Sequence, residues 1–154
     1  MKWKYISKLK DQNFLWEVES FFEVKLPEDF KKIIKENNAG YPEKEVFDTS
    51  LSKERVFGNL LDFNLNEEFN IIRTFNQVKE LLPVKTFPFG IDPGGNFICF
   101  DYRNSEKVPE IIFLKHEGFI DEDGKECYNT GFIANSFSEF INQLYDPEED
   151  HIID

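Results

Sequence analysis

Few side chains in this chain have the type and spacing that catalysis requires. His116 and His151 are the only histidines, and His151 lies close to the C-terminal end. An acid–base mechanism or a zinc site built on them needs partners at a defined spacing, and the sequence shows no such pattern. Cys99 and Cys127 are the only cysteines and form no C-x-x-C motif. We interpret them as reduced thiols, and a disulfide between them stays open at this stage.

Carboxylates are the best remaining candidates for chemistry. Asp92 and Asp101 lie on opposite arms of a predicted hairpin, and Asp62 or Glu110 could complete a cluster that binds a hard cation. The structural alternative is stronger, because an aspartate at the first position of a turn accepts backbone N–H groups. We therefore predict no catalytic residue, no cofactor and no metal. The glycines match no phosphate-binding motif.

Hydrophobic periodicity predicts two helices in the N-terminal part of the chain. The first spans residues 12–22, where apolar residues recur at steps of three and four. The second follows Leu26, with Pro27 at the first helical position, where the missing N–H is not needed. We expect it to end where Gly40 takes a left-handed conformation.

Two further helices are predicted later in the chain. One begins at Asn66-Glu67-Glu68 and stops before Pro83. The other begins at Ser136-Phe137-Ser138-Glu139, a capping box in which both polar side chains accept free N–H groups. Pro147 is expected to end it.

The strongest strand signal covers residues 87–102. Pro93 fixes the φ of the first turn corner and Gly94 can take a positive φ at the second, so the pattern predicts a hairpin. Its second arm, 97–102, is largely apolar on both alternating faces, which is typical of a central strand. The remaining expectations are two short strands between 41 and 63, a strand at 109–114, an acidic loop at 117–126 and an edge strand at 128–134.

The order of these elements indicates an α+β fold, with a central antiparallel β-sheet flanked by N-terminal and C-terminal helices. We place a single domain at 1–146 and an acidic tail at 147–154. The net charge of -12 argues against nucleic acid as a partner, because polyanions bind to cationic surfaces. No apolar run reaches signal-peptide or membrane-spanning length, so we expect a cytoplasmic protein without a membrane partner.

Two segments resemble signatures of the SUKH superfamily. Leu26-Pro27-Glu28-Asp29-Phe30 and the later Asn37-Asn38-Ala39-Gly40 are similar to its L-P-x-D-[FY] and N-G-G patterns, with Ala39 in place of the first glycine. Residues 87–96, followed by Asp101, resemble its P-F-G-x-D-x-G-G-N and D segment. The capped C-terminal helix is also typical, so the resemblance covers nearly the whole chain.

The resemblance implies an α+β domain without catalytic residues. Many bacterial members act as immunity proteins against toxins, often nucleases, whereas fungal relatives act as regulatory scaffolds. The motif positions are implied to maintain the fold. They are Leu26, Pro27, Gly40, Gly90, Asp92, Gly94, Gly95 and Asp101.

We therefore expect an immunity protein that binds and neutralises a cognate toxin with a basic, nucleic-acid-binding surface. A regulatory or scaffolding module is the first alternative, and a carboxylate metal-dependent enzyme is the second. An acidic inhibitor can cover a basic surface through charge complementarity. The candidate toxin-binding residues lie in two acidic segments and are Glu43, Glu45, Asp48, Glu117, Asp121, Glu122, Asp123 and Glu126.

Overall fold

Nine strands and five helices make up the part of the chain that the computed structural model describes, residues 1–150. The strands are β1 (Trp3–Lys4), β2 (Tyr41–Pro42), β3 (Val46–Phe47), β4 (Arg55–Val56), β5 (Asn59–Leu60), β6 (Thr86–Ile91), β7 (Phe97–Asp101), β8 (Glu110–Ile120) and β9 (Glu126–Ala134). The helices are α1 (Asn13–Phe22), α2 (Glu28–Asn37), α3 (Ile71–Val78), α4 (Phe137–Gln143) and α5 (Pro147–Asp150), and a 3-10 turn at Lys79–Leu81 follows α3.

The main sheet has five antiparallel strands in the order β5-β6-β7-β8-β9. Each strand pairs with its neighbour along the chain, and β1-β2 and β3-β4 form two small separate sheets. The predicted α+β class, an antiparallel sheet with flanking helices, is confirmed. Between residues 41 and 63 the structure has four two-residue strands where the sequence predicted two.

The middle strand β7 is covered on both faces. All five of its residues are buried. Ile98 and Phe100 face the larger core, which α1, α2 and α4 cover, whereas Phe97 and Cys99 face a smaller cluster beside the end of α3. This arrangement confirms the prediction of a central strand, because only a strand with cover on both sides buries both alternating sets.

Phenylalanine rings fill the larger core. Phe30 of α2 is fully buried, and its ring centroid lies 4.9 Å from that of Phe100 and 5.1 Å from that of Phe137. Burial of one such side chain stabilises the fold by roughly 1.5–3 kcal/mol. The apolar stripes of α2 and α4 are thus held against the same face of the sheet.

The boundaries of α2 correct two sequence predictions. Pro27 occupies the position before the helix, with ψ of 139°, and Glu28 is the first helical residue. Ala39, and not Gly40, takes the left-handed conformation, with φ of 61°. Gly40 is required by packing, because a Cβ there would lie 2.8 Å from the carbonyl oxygen of Asn37.

The third helix begins later than predicted. Asn66-Glu67-Glu68 belongs to a turn, and α3 starts at Ile71. The side chain of Asn70 accepts the backbone N–H of Arg73 and so caps the helix. The apolar stripe also begins only at Ile71, so cap and stripe agree.

The last predicted helix begins at its expected cap. The Ser136 hydroxyl accepts the N–H of Glu139 at 3.1 Å, and α4 ends at Gln143. Tyr145 then forms a bridge with Val46, and Pro147 begins α5. Of the predicted tail at 147–154, residues 151–154 lie outside the described residues. Within residues 1–150, no helix has the length and apolar character needed to cross a membrane.

Candidate functional site

A long β-hairpin places most of the acidic candidates. β7 pairs with Glu110 to Leu114 of β8, so the rest of β8 extends beyond the centre of the sheet and pairs with β9. The predicted loop at 117–126 is wrong in extent, because backbone pairing continues to Ile120 opposite Glu126. We name residues 115–129 the distal hairpin. The predicted edge strand is confirmed as β9.

The tip of the distal hairpin is a tight turn at 121–125. The Asp121 carboxylate accepts the backbone N–H of Asp123 at 3.0 Å and that of Lys125 at 2.8 Å. Gly124 has φ of 78°, a conformation that favours glycine. These bonds, the largest from Lys125, hold the pKa of the Asp121 carboxyl below its usual range.

The hairpin between β6 and β7 is closed by the same device. Asp92 accepts the N–H groups of Gly94 at 2.9 Å and Asn96 at 2.8 Å, and Gly95 has φ of 85°. The prediction of a positive φ at Gly94 is therefore wrong, because the left-handed residue follows the two turn corners. Both turns share the pattern Asp-x-x-Gly-x, and that repetition is the signal from which the second turn could have been predicted.

The structure exposes seven of the eight candidate acidic residues and half-buries Asp121. Asp48 is exposed but engaged, since it accepts the N–H of Glu54 and the hydroxyl of Tyr145, both at 2.9 Å. The bond from Glu54 is the main cause that lowers the pKa of the Asp48 carboxyl. Glu117, Glu122, Asp123 and Glu126 remain as exposed carboxylates on the distal hairpin.

The second acidic segment reaches the same sheet edge at one end. Ser50 donates its N–H to the carbonyl of Phe132 at 2.9 Å, and its hydroxyl accepts the Phe132 N–H at 2.8 Å. Asp48 thus lies two residues from a contact with β9. Glu43 and Glu45 are placed elsewhere, because their backbones bond to Lys2 and Phe57.

Cationic side chains at the base of the distal hairpin are already engaged. The Arg55 guanidinium carbon lies 4.6 Å from the centroid of the Phe113 ring, and a guanidinium nitrogen lies 3.7 Å from Asp92 Oδ2. Lys115 Nζ lies 3.5 Å from Glu117 Oε2. The exposed tip beyond them is therefore the more acidic part of the hairpin.

The remaining motif positions have structural contacts. Asp101 is buried and accepts two bonds from the Arg103 guanidinium, at 2.9 Å and 2.8 Å. These bonds raise the pKa of Arg103. A Cβ at Gly90 would lie 3.0 Å from the ring of Phe57, and Leu26 is buried in the larger core.

The carboxylate cluster considered as an alternative does not form. Asp62 accepts a hydrogen bond from the side-chain amide of Asn38 at 2.7 Å. Asp92 accepts the N–H of Gly94 in its own turn, and Asp101 accepts hydrogen bonds from the Arg103 guanidinium. Within residues 1–150, no group of three or more histidine, cysteine or acidic side chains is arranged to hold a metal ion.

The two thiols are free and poorly suited to nucleophilic chemistry. Cys99 is fully buried, and burial raises its pKa well above the usual value. Desolvation and the neighbouring Asp121 carboxylate raise the pKa of Cys127 as well. A thiol with a raised pKa carries little reactive thiolate at neutral pH.

Comparison with known proteins identifies the family. The model of the SMI1 / KNR4 family (SUKH-1) matches residues 11–143, which is most of the chain. The chain belongs to this family. No curated protein and no solved structure matches it, so a similarity to the Bacillus protein YobK is not confirmed. The SUKH family is known for immunity proteins and is typically non-enzymatic, which supports a general immunity role.

Proposed function

We propose that this chain is an immunity protein that binds a cognate toxin in the cytoplasm and blocks its activity. The family supports the general role. The observation that carries the finer proposal is the distal hairpin, an acidic projection whose base belongs to the buried sheet. Binding residues are commonly presented in this way, on loops held by a rigid scaffold.

The charge of the chain supports a nuclease as the class of toxin. Residues 117–126 contain five acidic side chains and one lysine, and the whole chain has a net charge of -12. A nuclease needs a cationic surface to hold its nucleic acid, and an acidic projection can cover that surface. The same charge accelerates encounter with a basic partner at low salt. We therefore propose a nuclease toxin with a basic active-site surface.

The exposed carboxylates of the distal hairpin are the proposed contact residues. Glu122, Asp123 and Glu126 are exposed, and their carboxylates can meet a partner without loss of a turn bond. Glu117 is also exposed and forms an ion pair with Lys115 at 3.5 Å. Asp121 and Asp48 combine contact with a structural role, because each accepts backbone N–H groups. Glu43 and Glu45 are proposed as peripheral contacts.

Co-expression tests the function. The wild-type chain is produced together with a candidate nuclease toxin domain, and growth and co-purification are measured. We expect rescue of growth and a stoichiometric complex. Continued toxicity without complex formation would contradict the proposal. Rescue without a complex would indicate regulation of the toxin by another route.

A further inference from the structure

The outer edge of β9 is covered at one end only. Phe132 directs its backbone N–H and carbonyl away from β8, since both bond to Ser50. Backbone groups of alternate residues in a strand point to the same side. Thr130 and Tyr128 therefore direct their N–H and carbonyl groups to the open edge, where no other residue in the described range 1–150 bonds to them.

An open strand edge is a template for another strand. Proteins commonly cover such edges, and this chain does so at Phe132 with the segment that contains Ser50. The outward N–H and carbonyl groups of Tyr128 and Thr130 form no hydrogen bond with the described part of the chain, although the Tyr128 side chain is buried in the smaller cluster. Backbone pairing along an exposed edge is a recurring mode of peptide recognition, with side chains on the two faces adding specificity.

The negative charge around residues 126–130 favours a basic strand as the binding partner. Glu126 begins this stretch, and Glu117, Glu122 and Asp123 lie on the same distal hairpin. A strand rich in lysine or arginine gains attraction at this edge. A second copy of the chain would bring like charges together, which disfavours pairing of β9 with itself.

We propose that residues 126–130 of β9 accept an extended, basic segment of the toxin as a sixth strand of the main sheet. This inference rests on the proposed function and adds its binding mode. Main-chain hydrogen bonds to Tyr128 and Thr130 hold the segment, and the carboxylates of the distal hairpin select its lysine or arginine side chains.

A synthetic peptide of alternating lysine and valine is the probe. Amide hydrogen exchange is measured residue by residue on the full chain, with and without saturating peptide. Exchange at Tyr128 and Thr130 should slow about tenfold, because their outward N–H groups become bonded. Asn129 and Gly131 should change little, since they face β8. A peptide with glutamate in place of lysine should produce no protection.

Substitution of Thr130 separates backbone pairing from side-chain contact. Thr130→Pro removes the outward N–H, and an edge strand tolerates proline where that N–H faces solvent. It should weaken peptide binding about tenfold, whereas Thr130→Val, which keeps the N–H, should bind like wild type. Thermal unfolding confirms that both variants are folded. Exchange in the wild-type chain decides the matter if Thr130→Pro does not fold.

Three results would overturn the inference. They are unchanged exchange at Tyr128 and Thr130, equal protection by the glutamate peptide, and undiminished binding by folded Thr130→Pro. The proposed function is judged separately by rescue of growth. Rescue without edge protection would refute strand addition alone, whereas edge protection without rescue would refute the toxin assignment alone.

Discussion

Ala39 occupies the position in α2's C-terminal turn where the family pattern has its first glycine. Its φ of 61° is left-handed, and such a conformation costs a residue with a Cβ roughly 1–2 kcal/mol. We predict that Ala39→Gly stabilises the fold by about 0.5–1 kcal/mol, the strain relief being partly offset by the greater freedom of glycine when unfolded. Urea unfolding measures the change. Gly40→Ala is the matched control and should destabilise, because its Cβ would meet the Asn37 carbonyl. An Ala39→Gly variant less stable than wild type would contradict the inference that the backbone at Ala39 is strained.

The two glycines of the β6–β7 turn make a second residue-scale test. Gly95 has a positive φ, and Gly94 has room for a Cβ at 3.4 Å from the Asn96 amide. We predict that Gly95→Ala destabilises by about 1–2 kcal/mol and that Gly94→Ala changes stability by less than half as much. Thermal unfolding of the pair is the measurement. Equal losses would show that the positive φ at Gly95 is not what sets the cost.

Helix α4 packs against the larger core through Phe140. Phe140 is fully buried, with ring centroids 5.7 Å from Phe47 and 5.6 Å from Phe57. We predict that Phe140→Ala costs roughly 3–5 kcal/mol of unfolding free energy, because the site cannot collapse. Phe69→Ala is the control, since Phe69 is 72% exposed and touches Arg73 by a cation–π contact worth roughly 0.5–1 kcal/mol. Similar losses in the two variants would refute the docking role of α4.

The elements that could be predicted from sequence are those in which the pattern of side chains matches the period or the cap of a helix or strand. Strand β7 alternates apolar residues on both faces, and α4 begins at a serine cap, so burial and capping were both visible. The outer half of β8 is different. Its residues 115–118 are Lys-His-Glu-Gly, which have no apolar alternation, so tertiary pairing with β9 extends the strand where composition indicates a loop. The start of α3 was misplaced because acidic residues before Asn70 imitate a first helical turn.

For the candidate site, sequence located the acidic residues but could not assign their roles. Asp121 differs from its neighbour Glu122 only through the hydrogen bonds of the turn, and these follow from the positive φ of Gly124. The number and positions of charged residues in the sequence do not indicate such hydrogen bonds. The open edge at Thr130 could not be predicted either, because it depends on the tertiary hydrogen bond that places Ser50 against Phe132 and not against Thr130.

At the scale of the whole molecule, we propose that the domain ends at residue 146. Val46 and Tyr145 exchange two backbone hydrogen bonds, at 3.1 Å and 2.9 Å, so ordered contacts continue to that point. We predict that truncation after Asp146 lowers the unfolding free energy by less than about 1 kcal/mol, since residues 147–154 contain only two large apolar side chains, Ile152 and Ile153. Truncation after Leu144 removes the bridge and should cost more. A large loss on truncation after Asp146, measured by urea unfolding, would place the boundary further along the chain.

Recognition of a basic toxin by the acidic distal hairpin of the folded domain is tested by removing charges from that hairpin. Neutral amides at Glu122, Asp123 and Glu126 remove three charges and leave the Asp121 turn intact. The control variant removes three charges at Glu17, Glu36 and Glu106, which are exposed outside the hairpin. Stability should barely change in either variant, because exposed charges contribute little to it.

The rate of association with the purified toxin domain is measured by stopped flow at low and high salt. At about 0.01 M salt the Debye length is roughly 30 Å, and the hairpin variant should associate about tenfold more slowly than wild type, with a much smaller effect in the control. At about 1 M salt, where the length is roughly 3 Å, the three rates should converge. Equal rates for the hairpin variant and wild type at low salt, or equal losses in the hairpin and control variants, would contradict recognition by this surface.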